Sequence, residues 1–102
     1  MPKPPILQMS RLREIGWSEW DPIGLVDSGC PRDEYDEYLL QTVSRFRRGD
    51  QVSEVACYLD TIATDTMGLG RSTPEGLKAA ETTATKIKAY LDTLPPGPLR
   101  VR

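Results

Sequence analysis

Ser72-Thr73-Pro74-Glu75-Gly76-Leu77-Lys78-Ala79-Ala80-Glu81-Thr82-Thr83-Ala84-Thr85-Lys86-Ile87-Lys88-Ala89-Tyr90-Leu91-Asp92-Thr93-Leu94 carries the clearest periodicity in the chain. Leu77, Ala80, Ala84, Ile87, Leu91 and Leu94 step by three, four, three, four and three, which gathers them on one side of a helix. Ser72 and Glu75 stand at capping-box spacing, and Pro74 suits a first turn, where its missing N–H costs nothing. Pro95-Pro96-Gly97-Pro98 cannot continue the helix. The spacing therefore predicts a helix over 74–94.

Upstream, Val52, Val55, Leu59 and Ile62 step by three, four and three, predicting a helix over 53–66 with Ser53 as its N-cap or in its first turn and Gly68 and Gly70 beyond its end. Tyr35, Leu39, Val43 and Phe46 form the stripe of a helix over 32–48. Its first turns hold Asp33, Glu34, Asp36 and Glu37, and its last hold Arg45, Arg47 and Arg48, which complements the helix dipole at both ends. Gly49 supplies a left-handed stop. Ile6, Met9, Leu12 and Ile15 recur every three residues and predict a first helix over 6–15, ending near Gly16. No alternating pattern of useful length points to a strand.

Between the first two helices lies Trp17-Ser18-Glu19-Trp20-Asp21-Pro22-Ile23-Gly24-Leu25, which contains both tryptophans of the chain. Pro22 restricts Asp21 to extended geometry, and Asp21 can accept backbone N–H groups two residues on. Trp20, Asp21, Pro22 and Gly24 are thus expected to form a structural turn that inserts Trp20 into the core. With Ile23, Leu25 and Val26 following, the stretch to Pro31 reads as a long ordered loop.

The chain has 102 residues, 38% hydrophobic and 27% charged, enough for one core without staples. Fifteen acidic against 13 basic groups leave a net charge of −2, whereas a phosphate-binding protein normally carries a clear positive excess. No nucleic-acid role is expected. No apolar run approaches the ~20 residues of a membrane span, and Met1-Pro2-Lys3-Pro4-Pro5 does not read as a secretory signal. No membrane association and a cytoplasmic location follow as expectations. Cys30 and Cys57 are then expected to be reduced, with Cys57 a small buried hydrophobe on its helix. The chain contains no histidine, which removes the usual neutral-pH general base and the usual zinc nitrogen ligand.

Two candidate sites remain. Trp17, Tyr35 and Tyr38 are residue types favoured at interface hot spots and are expected to face a protein partner. Asp21, Asp33, Asp36 and Asp60 could gather around a divalent cation, but their spacing matches no calcium loop and acids at a helix start already have a dipole role. No metal site and no cofactor are therefore expected. Arg45, Arg47 and Arg48, with Arg11 and Arg13, form a basic spot best explained by the dipole and solubility.

Trp20-Asp21-Pro22-Ile23-Gly24, Asp33-Glu34-Tyr35-Asp36-Glu37-Tyr38, the Arg48-Gly49 helix end, and Tyr58-Leu59-Asp60-Thr61-Ile62 with Met67-Gly68-Leu69 together resemble the small bacterial family called domain of unknown function 1871. The resemblance covers about residues 10 to 70. It implies a small helical bacterial protein with no established activity, similar in size to immunity and other accessory proteins.

The expected fold is all-α: a compact irregular bundle of four helices over 6–94, with residues 1–5 a flexible lead-in and 95–102 a flexible tail. Phe46, Leu39, Val43, Leu59, Ile62 and Ile87 are the expected core. The expected function is a non-enzymatic, protein-binding accessory domain of the immunity or regulatory kind. The alternative is a carboxylate-based, divalent-metal-dependent enzyme or metal-binding domain.

Overall fold

A computed structural model of the chain describes residues 5–20, 35–66, 71, 73–95 and 97–102. Among these the architecture is all-α. Helices α1 (Met9–Ile15), α2 (Asp36–Arg47), α3 (Val52–Thr61) and α4 (Pro74–Asp92) form a compact bundle. Wider π-helical turns extend α1 over Gly16–Trp20 and α3 over Ile62–Thr66.

Helix α4 is the longest element and packs chiefly against α3 and the Gly16–Trp20 turn. Its buried seam is Ala80, Thr83, Ala84 and Ile87, and the two alanines allow α3 to approach closely. The Thr83 hydroxyl is satisfied by donating to the Ala79 carbonyl at 2.7 Å, so burying it leaves no unpaired polar group. Thr42 on α2 does the same with the Leu39 carbonyl at 2.6 Å. Leu39, Leu59 and Ile87 are fully buried, each stabilising the fold by about 1.5–3 kcal/mol. Val43 and Phe46 are buried as expected, whereas Ile62 is only partly so. Leu77, expected on the seam, is exposed, because residues 73–78 run along the surface before α4 reaches the core.

The helix ends follow local chemistry. Thr73 caps α4, its hydroxyl oxygen accepting from the Gly76 N–H at 3.0 Å, with Pro74 in the first turn. The expected Ser72 lies outside the described residues. Gln51 caps helix α3, leaving Ser53 in its first turn, and the Gln51 N–H donates to Glu54 Oε1 at 3.0 Å. Helix α2 closes in a Schellman turn around Gly49, whose φ is +105°. There the Asp50 N–H donates to the Arg45 carbonyl and the Gly49 N–H to the Phe46 carbonyl.

Both chain ends depart from expectation. Residues 6 and 7 are not helical: Ile6–Leu7 (β1) is extended and pairs in parallel with Arg100–Val101 (β2), in the register Ile6 to Arg100 and Leu7 to Val101. An extended strand alternates its side chains, so Leu7 turns into the core and Ile6 out of it, which a helical spacing of three cannot detect. The last residues, expected as a flexible tail, are fastened to the domain. Arg100 N donates to the Pro5 carbonyl at 3.0 Å, Arg102 N to Leu7 at 2.8 Å, and Met9 N to Arg102 at 2.6 Å. The Arg47 guanidinium also donates to the Gly97 carbonyl.

Gly16 does not stop the first helix as a flexible residue would. Its φ of −63° is ordinary right-handed helix, and the chain continues through it into the π turn. Its role is steric. A Cβ there would stand 2.8 and 2.9 Å from the terminal methyl carbons of Leu39, which is fully buried. Gly16→Ala is therefore expected to destabilise the protein by about 1–3 kcal/mol through overpacking. In a denaturation series, combining it with Leu39→Val should cost less than the sum of the two single changes, and strict additivity would contradict this contact.

Candidate functional site

The aromatic residues assigned to a partner-facing surface are instead mainly interior. Trp17 and Trp20 lie on the π turn and Tyr35 at the start of α2, and all three are buried. The Trp17 and Tyr35 ring centroids are 4.8 Å apart and those of Trp20 and Tyr35 are 5.4 Å apart, both pairs tilted. Tyr38, one helical turn on, meets Trp20 edge-on at 6.2 Å and is half-buried. Large rings bring hydrophobic area as well as a polar handle, and here area prevails. Trp20 is a core residue as expected, while Asp21, Pro22 and Gly24 of the same structural turn lie outside the described residues.

Of the four carboxylates weighed as a cation site, Asp21 and Asp33 also lie outside them, and Asp60 lies on α3. Asp36 accepts from Arg13 Nε at 2.9 Å and Arg13 Nη2 at 2.6 Å, a two-pronged ion pair that ties α2 to α1. Its charge thus has a structural use. Among the described residues no group of three or more histidine, cysteine or acidic side chains could hold a metal ion. No helix among them is long and apolar enough to cross a membrane.

Cys57 corrects an expectation: it is a free, exposed thiol. Val55, Ala56 and Leu59 define the buried arc of α3. At about 100° per residue, position 57 turns away from that arc, so the stripe could have placed it outside.

Two surface depressions lie among the described residues. One, of about 530 Å³, lies against α2 and α3 and is lined by Arg45, Arg48, Asp50, Ser53, Glu54, Cys57, Tyr58 and Thr61. Its charges are engaged with one another. Arg48 grips Asp50 through Nε at 2.9 Å and Nη2 at 3.0 Å, and Arg45 Nη1 lies 3.6 Å from the same carboxylate. The Arg45 guanidinium also stacks 4.1 Å above the centre of the Tyr58 ring. The hydrogen bond from Arg48 holds the Asp50 carboxyl below its ordinary range and in turn raises Arg48, while burial pushes the Tyr58 phenol up.

The other depression, about 590 Å³, is a groove between α1 with its π turn and α4, within the 300–1,000 Å³ range of binding sites. Its walls are Arg11, Glu14, Ile15, Ser18 and Glu19 on one side and Lys86, Ala89, Tyr90 and Thr93 on the other. The two helices run antiparallel: Gln8 N donates to the Tyr90 hydroxyl at 2.9 Å at one end, and Lys86 Nζ meets Glu19 Oε1 at 2.6 Å at the other. Arg11 pairs with Glu14 at 3.2 Å and lies 6.0 Å from the Tyr90 ring centre. Of these wall residues only Arg11 was weighed from sequence, as part of the basic spot. The signal was there, since 11, 14, 15 and 18 and likewise 86, 89, 90 and 93 are helical neighbours, but nothing in the sequence says that the two stripes face each other.

No family model, curated protein or solved structure matches the chain.

Two outcomes follow from this geometry. Because the folded-state pKa of Asp50 is depressed, the stability it contributes is fully present above the ordinary carboxylate range near pH ~4 and is lost as pH falls through the lower folded value. Asp50→Asn should lower the melting temperature at pH 7, with the gap from wild type closing below pH ~4; a constant gap would contradict the ion pair. Trp17→Ala should cost about 3–5 kcal/mol in chemical denaturation, as an emptied core site does, and a loss under ~1 kcal/mol would return Trp17 to the surface.

Proposed function

We propose that the chain is a small non-enzymatic accessory domain that binds a protein partner through the α1–α4 groove, as an immunity-type or regulatory protein does. The observation that carries this reading is the groove itself. Two antiparallel helices each turn residues at i, i+3, i+4 and i+7 toward it. The wall positions Ser18, Ala89 and Thr93 are small, and Ile15 and Tyr90 add apolar surface. A cytoplasmic partner and a cytoplasmic location belong to this reading.

The test is affinity capture of the tagged full-length chain from its source cell, with bound proteins identified by mass spectrometry. Ala89 is exposed, so Ala89→Trp fills the groove without entering the core. Ser53→Trp blocks the α2–α3 depression in the same way and serves as control. A core change such as Trp17→Ala would report unfolding instead. The expected result is a specific partner retained by wild type and Ser53→Trp and reduced at least ~10-fold by Ala89→Trp, equivalent to ~1.4 kcal/mol. A partner bound equally by all three would move the site elsewhere, and repeated failure to find any specific partner would remove the protein-binding reading. An immunity role further predicts that the partner is a toxin encoded beside this chain.

A further inference from the structure

We infer that residues 97–102 form an exchangeable strap, which pairs with β1 of its own chain or with β1 of a second copy of this chain. The strap is held mainly by backbone bonds. Arg100 N donates to the Pro5 carbonyl, Arg102 N to the Leu7 carbonyl and Met9 N to the Arg102 carbonyl, while the side chains of Arg100, Val101 and Arg102 are exposed. None of residues 97–102 is fully buried, so their release empties no core position of their own. Ladder bonds of this kind accept an extended chain of any sequence. Two further contacts narrow the choice: Leu99 packs half-buried against the core, and the Gly97 carbonyl accepts from the Arg47 guanidinium. The segment that satisfies all of them is this one, supplied by the same molecule or by another copy.

Gly97 decides which copy receives the strap. It stands in the sequence Pro95-Pro96-Gly97-Pro98, where proline rings fix φ near −65° and leave the glycine as the residue free to turn the chain. Its φ is +127°, a left-handed value, in the form where the strap lies on its own β1. With a negative φ at this one position the segment continues in the extended manner of proline-rich chains, and β2 leaves its own β1. Each bond of the strap is then remade with the same partners on a second molecule. Closed and exchanged forms therefore differ only in the hinge and in the cost of association. A short flexible linker presents its strand at a millimolar effective concentration, and a stiff one that must turn presents it at less. A second copy thus competes at roughly 0.1–1 mM.

The test uses two full-length chains, both carrying Cys30→Ser and Cys57→Ser. One also carries Ile6→Cys and the other Arg100→Cys, at exposed positions that are register partners in the β1–β2 pair. Mixed at about 1 mM and oxidised, the two variants join through a disulfide at the strand pair only when the strap of one lies on β1 of the other. The expected result is a mixed dimer on a non-reducing gel, well above that of a control pair with Thr85→Cys, exposed on α4, in place of Arg100→Cys. Its yield should fall on dilution. Adding Gly97→Ala to both chains should lower the concentration at which the mixed dimer forms by at least ~10-fold, because an L side chain disfavours positive φ. Space is not the obstacle there, since a Cβ at Gly97 would stand 3.5 Å from Pro5 Cδ, an ordinary contact. A mixed dimer no more abundant than the control, or one indifferent to Gly97→Ala, would overturn the exchange. So would a Gly97→Ala chain that stays monomeric by light scattering at the same concentration while its Arg100 and Arg102 amides lose protection from hydrogen exchange, which is release without transfer.

Discussion

The contact on which the rest of the structure depends is the seating of the Gly16–Trp20 turn on the start of α2. Gly16 brings the backbone of the turn against Leu39, and one residue later Trp17 begins a chain of ring contacts through Tyr35, Trp20 and Tyr38. Close approach and aromatic burial need each other. A side chain at 16 would lift the turn by the few tenths of an ångström that separate packed rings from a gap, and packed interiors tolerate such shifts poorly. The same turn also packs on α4. It is therefore where α1, α2 and α4 are held in one arrangement, and the groove between α1 and α4 inherits its width from it.

Electrostatics then divides into pairs that hold elements together and pairs that lie on the surface. Arg13 with Asp36 joins α1 to the first turn of α2 while the acid also complements the helix dipole. Asp50 collects Arg48 and Arg45 directly after the Schellman turn, taking the place of the hydrophobic contact that often accompanies that motif. These carboxylates are largely covered, at 20% and 13% exposure of the side chain. Around the groove the pairs are more open: Arg11 and Glu14 are 52% and 65% exposed, and Lys86 and Glu19 52% and 29%. Of the arginines that stand out in the sequence as a basic spot, Arg13 is engaged by Asp36, Arg45 and Arg48 by Asp50, and Arg47 by the Gly97 carbonyl.

What was legible in the sequence were features whose cause is local. The seam of α4 from Ala80 onward, the stripe of α2, the Gly49 stop and the burial of Trp20 all follow from periodicity, φ preference or size acting over a few residues. The misses have non-local causes. Leu77 looks like a seam residue but lies where α4 has not yet met the bundle. Ile6 matches a spacing of three, yet a strand from the far end of the chain imposes extended geometry on it. Trp17 and Tyr35 have interface character and are interior because a π turn and a helix start meet. Cys57 is different, since the arc drawn by Val55, Ala56 and Leu59 already pointed it outward.

The groove illustrates the same limit at the level of function. Its two stripes are each visible in the sequence as mixed faces at the margin of amphipathic helices, with Ile15 and Tyr90 set among charged and small residues. They become a concave surface only because α1 is short and continues into the π turn, which lets the antiparallel α4 run past it with Tyr90 bridging to Gln8 at one end and Lys86 reaching Glu19 at the other. Faces that diverge in this way expose small side chains between charged rims.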